Sequence, residues 1–287
     1  MLDQSPAVRT LPPGHGLAWL LQCLLLMRAQ PVRLLLLALV LQLVLGLTQV
    51  PVLGLMIIIA MPALSAGLLQ GFHQVALGQR PAPGVLFAPL SAKPLTGRLL
   101  GLGALMFGMG LLIISLVMSG SDDLLDAELI ARIEQGDMDA IVMIDPAVMR
   151  RVVMAVVLGI SVSGTLSFMT IPLIWFRRAK VGVALLCGLR ALVMNWKPFL
   201  LLSVGISVLI VPAAILIGLL FQMVATSRPL ALILLGVILL AMLAFQLLLF
   251  GTQYCAFREI FGFSAEPAPA DDLSAIAPPP DDDQFVA

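Results

Sequence analysis

Five hydroxyl side chains, Ser161, Ser163, Thr165, Ser167 and Thr170, sit inside one otherwise apolar run. In hydrocarbon such groups either line a polar path for a solute or bond back to a carbonyl one turn away. No acid or base stands beside them, which argues against proton-coupled transport and leaves a passive facilitator open. Back-bonding or contact between helices is the preferred reading. A second cluster is basic and aromatic. Arg177, Arg178, Lys180, Arg190 and Lys197 lie beside Trp175 and Trp196. Cations among interfacial tryptophans fit the phosphates of anionic lipids. The candidate headgroup contacts are therefore Arg177, Arg178, Lys180, Arg190, Trp196 and Lys197.

Other chemistry finds less support. The two histidines, His15 and His73, have no neighbouring acid or second ligand and read as ordinary interfacial residues. Cys23, Cys187 and Cys255 lack metal-ligand spacing and read as free, apolar fillers. The acids around "GDMD" lack the oxygen spacing of a calcium loop. No nucleophile elbow, metalloprotease helix or phosphate-binding loop is present. The expectation is a non-enzyme, with no catalytic residue, metal or cofactor. A net charge of +0 gives no reason to expect nucleic acid as a partner; membrane lipids are the expected one.

The elements that must hold these residues follow from hydropathy. Hydrophobic residues make up 61% of the 287 and charged residues 11%, less than half the roughly 25% of a soluble domain. So few charges cannot cover a wet surface, and the chain reads as a multi-pass helical membrane protein. From Leu34 to Leu69 there is no charge for 36 residues. One helix of that length would run about 54 Å against a hydrocarbon core of about 30 Å. It must fold back, and "TQVP" before Val52 is the natural break.

Continuing in this way gives six spans, at 32–48, 52–69, 99–118, 147–176, 199–224 and 229–251, within one transmembrane domain over 14–263. Residues 1–13 read as a loose polar segment and 264–287 as a disordered acidic, proline-rich tail. Two shorter apolar helices, 14–30 and 177–197, do not span. The acidic loop 119–146 includes an amphipathic helix from Ser121 to Gly136, and Asp145–Pro146 opens the fourth span as N-cap and first helical residue. Pro62, Pro172 and Pro212 should kink their spans. Small residues Gly97, Gly101, Ala104 and Gly108 form one packing face, and Ala63, Gly67 and Gly71 a second.

Twelve of sixteen Lys and Arg fall on one side of this threading. The positive-inside rule then puts both termini in the cytoplasm. Trp19, Trp175, Trp196 and Tyr254 fall at that same boundary, where they read as an interfacial belt with the two short helices. An internal parallel repeat is also visible: Pro31 aligns with Pro198, and Gly67–Gly78 repeats as Gly251–Gly262, with the same spacing of eleven.

Asn195, Trp196, Pro198 and Phe199 make an "NWxPF"-like joint. Tyr254, Phe257, Arg258, Glu259, Ile260, Phe261 and Gly262 make a "YxxFREIFG"-like close to the last helix. In these features the chain resembles a family of bacterial inner-membrane proteins of unknown function, over residues 14–263. The resemblance implies about six helices in a bacterial inner membrane and no established activity. The expected role is accessory, scaffold or envelope maintenance through lipid headgroups; the alternative is a facilitator or lipid translocator.

Overall fold

The computed structural model describes residues 7–119, 145–224 and 228–264. The expected amphipathic helix of 121–136 and the tail from 265 lie outside the described residues. Those described form nine helices and no strand. They are α1 (His15–Ala29), α2 (Pro31–Gly46), α3 (Pro51–Ala76), α4 (Ala88–Ser91), α5 (Leu95–Met118), α6 (Pro146–Arg177), α7 (Val181–Met194), α8 (Trp196–Val224) and α9 (Arg228–Ile260). Six of them, α2 with the turn that continues it to Gln49, α3, α5, α6, α8 and α9, are long and apolar enough to cross a membrane. The protein is an all-α, multi-pass membrane protein.

Local rules place the ends. Pro51 begins α3 after the short turn Leu47–Gln49, as the break in the uncharged run requires. Pro146 begins α6, and the Asp145 carboxylate accepts the amide of Ala147 at 2.6 Å. That bond satisfies one of the four N–H groups that a helix start leaves without partners. Gly78 and Gly262 close α3 and α9 with φ of +71° and +58°, the left-handed region that glycine enters without strain. The two glycines aligned in the expected repeat thus end their helices in the same way.

The two joints before the spans are built differently. The first corner residue is Gln30, directly before Pro31, but the second is Asn195, and Pro198 is already the third residue of α8. Proline fits there because N–H groups of the first turn have no intrahelical acceptor. The two short helices also have different neighbours. α1 lies on α8 and α9, α7 lies on α6, and the α2–α3 hairpin is covered by Pro83–Ser91.

α5 packs between α3 and α6, and α9 reaches α2, α3 and α6. The small-residue faces behave differently. Gly67 meets the backbone of Leu86 and Gly71 the side chain of Leu37, so the α3 face packs as expected. Gly97, Gly101 and Gly108 have open space where a Cβ would stand, so the expected α5 face is not the packed one. Gly103 is: a Cβ there would land on the carbonyl of Ile59. Spacing alone shows where small residues line up, not which line a neighbouring helix approaches. The sixth span also runs beyond its expected end at Gly251 to Ile260, carrying Arg258 and Glu259 into its last turn.

Candidate functional site: the basic end of the bundle

The helix ends that carry most of the cations are tied together by hydrogen bonds. Arg98, near the start of α5, donates to the carbonyls of Arg178 and Ala179 just past α6. Arg177 donates to the carbonyl of Phe261 at 2.7 Å, and its guanidinium stands 5.6 Å from the ring centre of Phe263. Gln30 and Arg33 donate to the carbonyls of Gln79 and Pro81. Arginine suits this work because its planar head offers several N–H groups to helix-terminal carbonyls at once.

The candidate headgroup residues are all exposed, but they divide by role. Arg177 is held by the α9 terminus as just described. Arg178 takes a left-handed conformation, φ 53°, that ends α6 and turns its carbonyl toward Arg98. Lys180 precedes α7, Arg190 lies on its outer side, and Lys197 follows the exposed Trp196. The Lys197 ammonium stands 5.7 Å from the Trp196 ring centre.

α7 is amphipathic in an unusual sense. It buries Ala184, Cys187, Gly188 and Ala191 and turns Leu186, Leu189 and Val193 outward with Arg190. Leu186 is 72% exposed. Small residues face the protein because α7 must approach α6 closely: a Cβ at Gly188 would stand 3.2 Å from Thr170 Oγ1. Burial pushes the Cys187 thiol above its usual range, against the pull of Arg190, so it stays an uncharged filler. α1 repeats the pattern. Gly16, Trp19 and Cys23 face inward, while Leu17, Leu21, Leu25 and Arg28 face outward.

No family model, curated protein or solved structure matches this chain.

Several polar residues at this end escaped the sequence reading. Glu259 accepts from Trp19 Nε1 at 2.5 Å and stands 2.5 Å from His15 Nδ1. His73 Nδ1 stands 2.9 Å from the Tyr254 hydroxyl, and Arg258 lies over the Tyr254 ring. The histidines therefore do have partners, 244 and 181 residues away in sequence. Trp19 and Tyr254 are fully buried, so of the expected aromatic belt the half-buried Trp175, which donates to Gln70, and the exposed Trp196 keep a surface position. Buried indole and phenol groups need hydrogen-bond partners, and here the protein supplies them.

Asn195 is also fully buried. Its Oδ1 accepts the Leu11 amide at 2.8 Å, and its Nδ2 donates to the carbonyls of Arg9 and Ala191 at 3.0 Å. The Arg9 amide donates in turn to the Ile260 carbonyl. Residues from Arg9 to Leu11 are thus held in place, not loose. Because their backbone belongs to no helix that could satisfy it, a buried side-chain amide takes that part.

Two of the five hydroxyls of α6 serve their own helix. Ser167 donates to Gly164 and Thr170 to Leu166. Ser163 and Ser167 also line a cavity of about 380 Å³ with Ser65, Pro62 and Gly103, between α3, α5 and α6. No metal-binding group of His, Cys, Asp or Glu occurs among the described residues.

Proposed function

We propose that this is a non-enzymatic scaffold or envelope-maintenance protein of a bacterial inner membrane, which holds anionic lipid headgroups at its basic end. The observation that carries the reading is the construction of the two short helices. Each turns a row of leucines outward, α1 with Arg28 and α7 with Arg190, and both belong to the end where Lys180 and Lys197 stand exposed. A shallow helix with an apolar strip and flanking cations binds where acyl chains meet phosphates. The cation distribution supports a cytoplasmic placement of that end, with both termini, by the positive-inside rule. The "NWxPF"-like and "YxxFREIFG"-like segments support membership of the bacterial family they resemble.

A facilitator is the second reading, favoured by the cavity carrying the hydroxyls of Ser65, Ser163 and Ser167. Reconstitution separates the two. Vesicles holding the purified protein should pass no small solute and flip no labelled lipid. Saturable flux that disappears in Ser163→Ala/Ser167→Ala would replace the scaffold by the facilitator. The orientation is tested separately with cysteine substitutions. Positions 122–140 should label from outside and 178–195 should not; the reverse pattern rejects the placement.

A further inference from the structure

We infer that the groove between α6, α7, α8 and α9 holds one acyl chain of an anionic phospholipid whose phosphate meets Lys197. This rests on the headgroup reading above and names a site and a ligand class for it. The groove encloses about 540 Å³ and is lined along α8 by Trp196, Leu200, Ser203 and Ile206, with Gly164 and Phe168 opposite on α6.

Its length fits one leaflet. Trp196 is the first residue of α8, and Ile206 lies ten positions further. Ten helical residues rise about 15 Å, half of a hydrocarbon core of about 30 Å. The groove therefore begins at the basic end of the bundle and stops near the bilayer midplane, the reach of an acyl chain.

Its surface is hydrocarbon in character although three hydroxyl residues border it. Ser203 donates to the Phe199 carbonyl at 2.9 Å and Thr252 to the Leu248 carbonyl at 2.8 Å. Both hydroxyls are thereby spent on their own helices, leaving only Thr165 on this wall. Gly164 contributes no side chain, which keeps the α6 wall open. A polar solute would find few partners here; a methylene chain needs none.

The charge at one end selects the lipid. Trp196 lines the groove, and the Lys197 ammonium is held over its ring. A lysine ammonium is a strong point-charge partner for phosphate. The hydroxyl-lined cavity between α3, α5 and α6 has no charged residue on its lining and offers no such headgroup site.

The test uses the full chain in phosphatidylcholine vesicles doped with phosphatidylglycerol or phosphatidylcholine carrying a photoreactive acyl chain. Label from phosphatidylglycerol should concentrate on the facing segments of α6 and α8, several-fold above the phosphatidylcholine probe. Lys197→Gln should bring the two probes level. Ser203→Trp and, independently, Leu200→Trp should expel both from the groove. Equal labelling by the two lipids in the unaltered protein, or groove labelling unchanged by both tryptophans, overturns the inference. Label spread evenly over all the lipid-facing helices, with anionic lipid still co-purifying, removes the groove alone. Even spread without lipid selectivity removes the headgroup reading with it.

Discussion

The two ends of α9 lie in different surroundings. In its last turns Thr252, Tyr254, Ala256 and Phe257 are fully buried, and Gln253 donates to the Phe168 carbonyl at 2.7 Å. Near its start Leu232 is 70% exposed, and on the neighbouring α8 Val208 is exposed to the same degree. The same helix thus passes from a packed, hydrogen-bonded protein interior to a surface that only lipid or another apolar partner can cover. Lipid tails are as apolar as leucine, so they give helices no hydrophobic reason to associate. Where the helices do hold together, the work falls to close small-residue contacts and to polar groups.

Substitutions should separate the two regions. The largest effect is expected at Gly103, where any Cβ meets the Ile59 carbonyl. Gly103→Val should cost about 3 kcal/mol, the upper part of the overpacking range, seen as a lower unfolding temperature in detergent. Gly218, in the exposed half of α8, has open space around it. Gly218→Val should stay within about 0.5 kcal/mol; equal losses at both glycines would erase the contrast.

Asn195→Ala comes next. It strands the Leu11 amide and the Arg9 carbonyl together, at about 1–3 kcal/mol for buried groups left unpaired. Hydrogen exchange at Leu11 should accelerate well beyond that in the α6–α7 contact. Unchanged protection would mean that the N-terminal segment is held by something other than this side chain.

Trp19→Phe keeps the ring against Phe199 but removes the donor to Glu259; about 1 kcal/mol is expected. The His15–Glu259 contact is about one-third exposed. His15→Gln should therefore change stability by less than about 1 kcal/mol, with salt reducing the effect further. The smallest effect is expected for Val208→Leu or Leu232→Val on the exposed faces, within about 0.5 kcal/mol. A clear loss there would reveal a protein partner covering these faces.

How much of this could be read in advance follows the same division. The spans were legible because an uncharged run can end only at a polar break or a proline, and Pro51 and Pro146 sit where those rules put them. The exposed cations of the candidate site were legible for a similar reason. Long-range partners were not. Pro172 announces that the Phe168 carbonyl has lost its helical N–H, yet nothing near it in sequence says that Gln253 will supply another. His15, Trp19 and Glu259 present the same problem across most of the chain, and Asn195 looked like part of a corner, not the anchor of a non-helical N-terminal segment. Hydropathy records which residues leave water; it does not record which of them meet.

The central claim is that the basic end selects anionic lipid. Its most direct test is native mass spectrometry of the full chain, extracted in a gentle detergent from membranes of known lipid composition. The account predicts retained anionic phospholipid well above its bulk share, and a return to bulk composition in Arg178→Gln/Lys180→Gln/Arg190→Gln/Lys197→Gln. Bound lipid that mirrors the bulk membrane in the unaltered protein would contradict it.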